Sequence, residues 1–207
     1  MNETPPIGFI GAGRMATAMA RGFINAGLVS PDNLIASDPV LAGRDAFGQA
    51  LGCETTSSNA DVLAKAKVIF LAFKPHQLGE AMDTVRGQFD ESHLVISILA
   101  GVKLARLDEA CGGQARGVRV MPNTPLMAGQ GMAGVALGVN AKQSDDDLAM
   151  QLFGAAGKAI RIGEKELDAI TAVSGSGPAY VFYLAEAMEQ AASELGLTRD
   201  ARLLVQQ

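Results

Sequence analysis

Three small residues near the start of the chain have the spacing of a phosphate-binding turn. Gly11, Gly13 and Ala16 form a G-x-G-x-x-A pattern between a short apolar segment, 7–10, and a helical pattern. Gly11 would permit the tight turn, Gly13 would let the backbone approach a pyrophosphate, and Ala16 would let the helix pack closely on the strand. The helix N-terminus would then offer free N–H groups to the anion. The pattern predicts a dinucleotide-binding βα turn; a tight turn without a ligand is the alternative.

The end of the second predicted strand is where folds of this kind distinguish the two nicotinamide dinucleotides. There Ser37 could donate a hydrogen bond to a 2′-phosphate, and Asp38 could accept one from a ribose 2′-hydroxyl. Arg44 could neutralise a phosphate, although its place in a helical pattern also fits a solvated side chain. These residues leave NADP and NAD as open alternatives.

A second glycine-rich segment, SGSGPAY, occupies residues 174–180. Its small residues run into Pro178, and proline is a favoured first residue of a helix. Hydroxyl and N–H groups would then gather at a helix N-terminus and could receive an anion. A linker with a capping serine is the alternative.

Polar residues also follow the fifth predicted strand. Asn123 and Thr124 stand between two prolines in the segment 121–125, and the prolines restrict the backbone that presents them. Open α/β sheets bind ligands outside the carboxyl ends of their strands. Asn123 and Thr124 are therefore candidate polar groups of a ligand site.

Metal and thiol chemistry find little support in the sequence. The chain has two histidines, His76 and His93, and two cysteines, without the spacing of a metal site or of a redox pair. Three acids at 145–147 stand in the first turn of a predicted helix, where the helix dipole accounts for them. We therefore expect no bound metal, a surface position for His76 and a structural role for His93.

Predicted strands and helices alternate as far as Gly163. Strands are expected at 7–10, 33–37, 68–73, 93–98, 117–120, 131–137 and 158–162. Helices are expected at 14–26, 41–51, 77–85, 104–110, 144–156 (capped by Ser144) and 179–195, with another from Thr198 still running at Gln207. Buried strands alternating with helices predict an α/β fold with a doubly wound sheet of the Rossmann type.

The composition changes after Gly163, where it becomes helical and rich in alanine. We therefore expect a dinucleotide-binding domain over 1–163. Residues 164–207 should form the start of an all-helical domain, incomplete in this chain because its last helical pattern has no cap.

The overall composition is that of a globular protein, with 48% hydrophobic residues, 19% charged residues and a net charge of −5. No cluster of basic residues provides the phosphate-binding surface that nucleic acids require. No apolar run is long enough to cross a bilayer, and residues 1–6 lack the basic and apolar regions of a signal peptide. We therefore expect a cytoplasmic protein that binds neither nucleic acid nor membrane.

Four segments, taken in order, resemble the pyrroline-5-carboxylate reductase family. They are 8–13 (GFIGAG), 72–75 (AFKP), 121–125 (MPNTP) and 173–180 (VSGSGPAY), of which the last is the most specific, and the likeness covers essentially the whole chain. The resemblance implies reduction of 1-pyrroline-5-carboxylate to L-proline, the last step of proline synthesis, with NADPH as cofactor and NADH as a possible substitute. It also implies a Rossmann domain followed by a helical domain that builds a homodimer or a larger homo-oligomer.

The resemblance further implies which residues form the site. The family's cofactor-binding positions fall on Ile10, Gly11, Ala12, Gly13, Arg14, Met15, Ser37, Asn59, Ala72, Phe73, Lys74, Pro75 and Ala100. The catalytic candidates are Ser176, Asn123 and Thr124, with Ser176 and neighbouring N–H groups expected to bind the substrate carboxylate or ring nitrogen. Two features depart from the family: similar proteins continue beyond Gln207, and Asp38 stands where a small or basic residue would suit a 2′-phosphate better.

Two other functions compete with this interpretation. β-Hydroxyacid dehydrogenases, including relatives of 6-phosphogluconate dehydrogenase, also pair a Rossmann domain with a helical one. They use a lysine on the helix after the second glycine-rich segment, and this chain has no lysine from Pro178 to Gln207, which argues against them. A nucleotide-binding module without catalysis would bind the cofactor and leave pyrroline-5-carboxylate unchanged.

Overall fold

Strands and helices alternate along most of the chain. The computed structural model describes residues 4–198 and residue 200. Within them, one sheet contains β1 Ile7–Ile10, β2 Leu34–Ser37, β3 Glu54–Thr56, β4 Val68–Leu71, β5 Leu94–Ser97, β6 Arg116–Pro122, β7 Gly131–Leu137 and β8 Gly157–Arg161. The helices are α1 Arg14–Asn25, α2 Leu41–Leu51, α3 Asn59–Lys65, α4 Leu78–Asp83, α5 Leu104–Ala110, α6 Gln143–Ala155, α7 Glu164–Ile170 and α8 Gly177–Glu194.

The sheet has the strand order β3-β2-β1-β4-β5-β6-β7-β8, and β1 to β6 run parallel. The order reverses between β1 and β4, which are paired with Ile10 opposite Leu71. Connections leave these two strands in opposite directions, so their carboxyl ends border a crevice. The doubly wound α/β fold predicted from the sequence is confirmed.

The last two strands run the other way. β7 is antiparallel to β6, and β8 pairs with β7 in parallel. The loop 123–130 between β6 and β7 is too short to hold the crossover helix that a parallel connection needs. The parallel part of the sheet therefore ends at β6.

Several local predictions differ from the structure. The sequence pattern does not predict β3, because three polar residues at a sheet edge carry little apolar signal. The helix expected over 77–85 is divided into a 3₁₀ turn, Pro75–Gln77, and the shorter α4. Ser144 does not cap α6, which begins at Gln143. Most of the helix expected from Thr198, residues 199 and 201–207, lies outside the described residues.

The three acids at the start of α6 have partners beyond the helix dipole. The Asp145 carboxylate accepts from the Lys142 N–H at 2.8 Å and pairs with Arg116 Nη1 at 2.5 Å. Asp146 is buried and pairs with Arg161, which also reaches Asp147 at 3.1 Å. These ion pairs attach α6 to β6 and β8, so the dipole alone is an incomplete explanation of the acids.

Stacked aromatic rings hold α1 on the sheet at the point where the strand order reverses. The ring centroids of Phe9 on β1 and Phe70 on β4 lie 4.9 Å apart, and Phe23 of α1 lies 5.6 Å from Phe70. All three rings are fully buried. Such pairs add about 0.5–1.5 kcal/mol each to the gain from burial. On the opposite face, Leu71 belongs to a second core, since successive side chains of a strand alternate between faces.

A buried arginine attaches α7 to the sheet. Arg119 of β6 is 3% exposed; its Nη2 lies 2.8 Å from Asp168 Oδ1 and its Nη1 lies 3.4 Å from Glu164 Oε1. Glu164 also accepts from the N–H of Leu104, at the start of α5, at 2.6 Å. Leu167 is fully buried on the same side of α7. The first helix after β8 is therefore part of the packed core.

The next helix, α8, is mostly exposed. Among the described residues, Ala192 is its one buried side chain, whereas Tyr180, Phe182 and Tyr183 are 65–75% exposed. An apolar surface of this extent is typical of an interaction surface. None of the helices in the described part of the chain has the length and apolar character needed to cross a bilayer.

We expect the core of the sheet to dominate stability. Leu71→Ala should lower the free energy of unfolding by about 2–5 kcal/mol, because it leaves a cavity beneath the reversal point. The matched change Leu41→Ala, at a side chain that is 61% exposed, should alter it by less than about 0.5 kcal/mol. Urea unfolding at one protein concentration measures both values, and equal losses would contradict the assignment of Leu71 to the core.

Candidate functional site

A cavity of about 700 Å³ lies above the carboxyl ends of β1, β4 and β5. A second cavity of about 350 Å³ lies beyond the end of β2, beside α4. The two cavities share Gly11, Asp38, Phe73 and Gln77, so together they form a continuous crevice across the point where the strand order reverses. We call them the main cavity and the side cavity.

The predicted cofactor-binding residues gather around this crevice. Lining the main cavity are Gly11, Gly13, Arg14, Met15, Ala72, Phe73, Lys74, Pro75 and Ala100. The side cavity is lined by Ile10, Gly11, Ser37, Asn59 and Phe73. Ala12 lines neither. Among the predicted substrate residues, Thr124 lines the main cavity, whereas Asn123 and Ser176 lie outside its lining.

Gly11 and Gly13 have different physical roles in the turn. Gly11 has a φ of 97°, and a Cβ there would lie 2.7 Å from the Ala72 carbonyl oxygen. The fold itself therefore requires a glycine at position 11. At Gly13, by contrast, no atom lies within 4 Å of the place a Cβ would occupy. Packing does not require this glycine, which is one of the residues that line the main cavity.

The N-terminus of α1 is open to the same cavity. Gly13 is its N-cap residue and, having no side chain, provides no capping hydrogen bond. The first N–H groups of a helix need such an acceptor or an external one, and together with the helix dipole they favour an anion. The preceding amide, Ala12 N–H, donates to Asp38 Oδ2 at 3.0 Å. A carboxylate thus already occupies one donor of the turn.

Ser37 is not placed to donate to a cofactor phosphate. Its side chain is fully buried, and its hydroxyl donates to Asn59 Oδ1 at 2.6 Å. In this structure the hydroxyl proton is donated within the protein, and its contact with a cofactor phosphate stays a prediction. The hydroxyl is buried because Ser37 is the last residue of a central strand that is covered on both faces.

The Asn59 side chain connects neighbouring elements of the fold and does not cap a helix. The cap of α3 is Ser58, whose hydroxyl accepts from the Asp61 N–H at 3.2 Å. The Asn59 amide group donates to Ala81 O at 3.1 Å and to Thr84 Oγ1 at 3.0 Å. With its bond from Ser37, Asn59 connects β2, α3 and α4 and fixes the width of the side cavity.

The segment after β4 forms one wall of the main cavity. The Ala72 N–H donates to Ile10 O at 2.9 Å, which holds this segment against the glycine turn. Lys74 is exposed, and its N–H donates to Gln77 Oε1 at 3.0 Å, closing the 3₁₀ turn. His76 is exposed and outside the cavity linings, whereas His93 is buried with Nδ1 2.9 Å from Asp90 Oδ1. The predicted surface and structural positions of the two histidines are confirmed.

On the far side of the main cavity, Asn123 connects the end of β6 to the second glycine-rich segment. Its Nδ2 donates to Ser174 Oγ at 3.2 Å, and its Oδ1 accepts from the Met132 N–H at 2.9 Å. Both ends of this amide are therefore engaged. Gly175 lies so close to the sheet that a Cβ there would be 3.2 Å from Met121 Cε. Sequence reasoning missed the contact of Ser174, because 51 residues separate it from Asn123.

The second glycine-rich segment is a continuous helical path and not a loop before a helix. Residues 171–175 form a π-helical turn between α7 and α8, and α8 begins at Gly177, one residue before Pro178. The Ser176 N–H donates to Thr171 O at 2.9 Å. This amide is therefore already engaged, and it is not one of the free N–H groups that the sequence led us to expect. The Ser176 hydroxyl is half-buried. Single π turns within helices occur frequently at functional sites.

The two cysteines are poorly suited to nucleophilic chemistry. Burial raises the pKa of the Cys111 thiol to about 12, with a further increase from the charge of Asp108. Burial also raises the pKa of Cys53. Both side chains are therefore protonated thiols at neutral pH, whereas the nucleophilic form of cysteine is the thiolate. Within 4–198 and 200, no group of three His, Cys, Asp or Glu side chains is arranged to hold a metal ion.

Two family models match separate parts of the chain. One, described as "NADP oxidoreductase coenzyme F420-dependent", matches residues 6–101. The other, described as "Pyrroline-5-carboxylate reductase dimerisation", matches residues 164–207. The first includes the glycine turn and the segment after β4, and the second includes the π turn and α8.

Whole-chain comparisons give a consistent result. A pyrroline-5-carboxylate reductase from Methanosarcina acetivorans is 38% identical over 201 residues, which is 97% of this chain and 74% of the relative. The structure of a pyrroline-5-carboxylate reductase from Coxiella burnetii has a TM-score of 0.85 and 35% identity, covering 98% of this chain and 76% of that one. The Plasmodium falciparum pyrroline carboxylate reductase, solved with NADP bound, has a TM-score of 0.85 and 31% identity over 98% and 75% of the two chains. The Rossmann crevice and the π turn bonded to Asn123 agree with this level of sequence identity. The chain belongs to the pyrroline-5-carboxylate reductase family.

Proposed function

We propose that this chain reduces 1-pyrroline-5-carboxylate to L-proline with NADPH or NADH, the last step of proline biosynthesis. The observation that carries the proposal is the crevice itself, which has a phosphate-type glycine turn on one side and, on the other, Met121 and Thr124 at the end of β6. The glycine-rich π turn packs against Met121 from outside the lining. The named activity of relatives that are 35–38% identical supports the same reaction. The NADP bound to the P. falciparum relative supports the class of cofactor.

The residues present fit a dinucleotide. The uncapped N-terminus of α1 and the open space at Gly13 suit a pyrophosphate, and Ala72 to Pro75 and Ala100 would flank the nicotinamide half. Asn59 would act indirectly, by holding the side cavity open for the adenosine half. Ser37 would act through its bond to Asn59, without a direct contact from its hydroxyl.

The chemistry asks little of protein side chains. When bound, a reduced nicotinamide supplies a hydride to the carbon of the protonated C=N bond, and the nitrogen becomes the amine of proline. The chain must hold the imine at a fixed distance, bind its carboxylate and keep water out. The apolar walls formed by Met15, Ile98 and Met121 would exclude water.

Polar groups at the far wall would orient the substrate. Thr124 lines the main cavity, and Ser176, a half-buried residue outside that lining, follows Ser174 by two positions. We propose that these two hydroxyls bind the carboxylate or the ring nitrogen. Asn123 would position them, because its amide bridges Met132 and Ser174 and so fixes the π turn relative to the sheet.

We further propose that residues 1–163 act as the cofactor domain and that 164–207 form part of a domain that pairs two copies of the chain. The dimerisation model that matches 164–207 supports this, as do the exposed apolar side chains of α8. The cytoplasmic location and the lack of nucleic-acid binding stay predictions from the sequence.

The reaction is tested by following NADPH and NADH absorbance with pyrroline-5-carboxylate as substrate. We expect cofactor oxidation that depends on the imine, with proline as the product measured by chromatography. Binding of either cofactor without oxidation would favour a nucleotide-binding module instead.

Replacing Gly13 tests the pyrophosphate site. Gly13→Ala should weaken dinucleotide binding about tenfold or more, because the new Cβ would fill the space of the phosphates. The melting temperature of the unliganded protein should change by less than about 2 °C, since nothing packs there. Gly154→Ala is the matched control, because it adds the same methyl group to open space away from the crevice. Calorimetric titration with NADP and NAD measures the effect; equal affinities in the two variants would contradict the site.

Ser176→Ala tests the substrate wall. The loss of one hydrogen bond to a charged group should lower kcat/KM for pyrroline-5-carboxylate by about 10- to 100-fold, with cofactor affinity unchanged. Ser144→Ala, at an exposed position of α6, should leave both values unaltered. Wild-type steady-state constants for Ser176→Ala would remove the proposed role of this hydroxyl.

A further inference from the structure

The side cavity has an unusual charge for a site that would take the adenosine half of a dinucleotide. Among the described residues that line it, the charged side chains are Asp38 and Glu80, and both are acidic. No lysine or arginine belongs to this lining. A 2′-phosphate on the adenosine ribose would therefore enter a space whose charged groups all repel it.

Two hydrogen bonds hold the Asp38 carboxylate where the side cavity meets the main cavity. Its Oδ1 accepts from the Val40 N–H at 2.9 Å, and its Oδ2 accepts from the Ala12 N–H at 3.0 Å. The start of α2 confines it further, because a Cβ at Gly43 would lie 3.3 Å from its Cγ. A carboxylate oxygen can accept more than one hydrogen bond, so both oxygens keep capacity for a ribose hydroxyl.

Two groups beside Asp38 that could serve a phosphate are engaged elsewhere. Arg44 donates through Nη1 to the carbonyl oxygens of Asp38 and Pro39, at 2.6 and 3.1 Å, and does not line the cavity. The Ser37 hydroxyl is buried and donates to Asn59. A 2′-hydroxyl, in contrast, is a donor that matches the two carboxylate oxygens of Asp38.

We infer that Asp38, assisted by Glu80, makes this chain select NADH over NADPH. The inference rests on the proposed function for the identity of the site. The selectivity comes from two effects at one position: a hydrogen bond that the 2′-hydroxyl makes, and a repulsion that the 2′-phosphate meets.

Two small ligands test the selectivity without any turnover. AMP and adenosine 2′,5′-bisphosphate differ by the 2′-phosphate alone, and calorimetric titration of the whole chain gives both affinities. We expect AMP to bind at least about tenfold more tightly. Asp38→Asn keeps the side-chain shape and removes the charge, so it should move the ratio toward the bisphosphate by about tenfold. Glu80→Gln should move it in the same direction by less, because that side chain is exposed and more strongly screened.

Two control variants complete the test. Asp32→Asn makes the same charge change at an exposed residue before β2, at the opposite end of the strand from Asp38, and should leave the ratio unchanged. Arg44→Ala should also leave the preference for AMP in place. A wild-type preference for the bisphosphate that Arg44→Ala abolishes would overturn the inference, since Arg44 would then be a phosphate receptor.

Kinetics separate this inference from the proposed function. With pyrroline-5-carboxylate, kcat/KM should be higher for NADH than for NADPH, and Asp38→Asn should reduce the difference. Turnover that favours NADPH in the wild type contradicts the selectivity and leaves the reductase function standing. Tight AMP binding with no oxidation of either cofactor contradicts the reductase function and leaves the selectivity of the site standing.

Discussion

The close approach of the glycine turn to the end of β4 is the constraint on which the site depends. Gly11 lies so near the Ala72 carbonyl that no side chain fits between them, and the Ala72 N–H bonds back to Ile10. This contact sets the distance between the turn and the segment that begins the opposite wall. The aromatic stack of Phe9, Phe23 and Phe70 fixes the same region from below, so α1 points its uncapped end at the crevice.

A second connection joins the crevice to the helical part of the chain. The Asn123 amide spans from the loop after β6 to Ser174, and Gly175 allows the π turn to lie against Met121. A tighter α-helical path would displace the hydroxyls at 174 and 176 around the helix axis. The π turn is thus the local distortion that brings the Ser174 hydroxyl to Asn123, at the end of β6.

Local patterns predicted much of this arrangement. The glycine spacing and the buried apolar strands identified the turn and the parallel part of the sheet, because each depends on neighbours within one βα unit. Most of the other residues around the crevice were predicted through the resemblance to the family. Contacts between distant segments were not predictable in the same way. The bond from Ala12 to Asp38 spans 26 residues, and the tie from Asn59 to α4 depends on how two helices pack. The inward position of Ser37 follows from burial of the strand on both faces, whereas the sequence interpretation considered its hydroxyl only as a donor to a phosphate.

Arg119 has a consequence for how the molecule can move. Its buried ion pairs with Glu164 and Asp168, together with the Leu104 bond to Glu164, connect the first helix after β8 to β6 and to α5. Separating α7 from β6 would leave the buried guanidinium of Arg119 without its partners, which is strongly unfavourable. The junction at residue 163 is therefore rigid and does not act as a hinge. If the crevice opens and closes during the catalytic cycle, the movement must arise outside this junction.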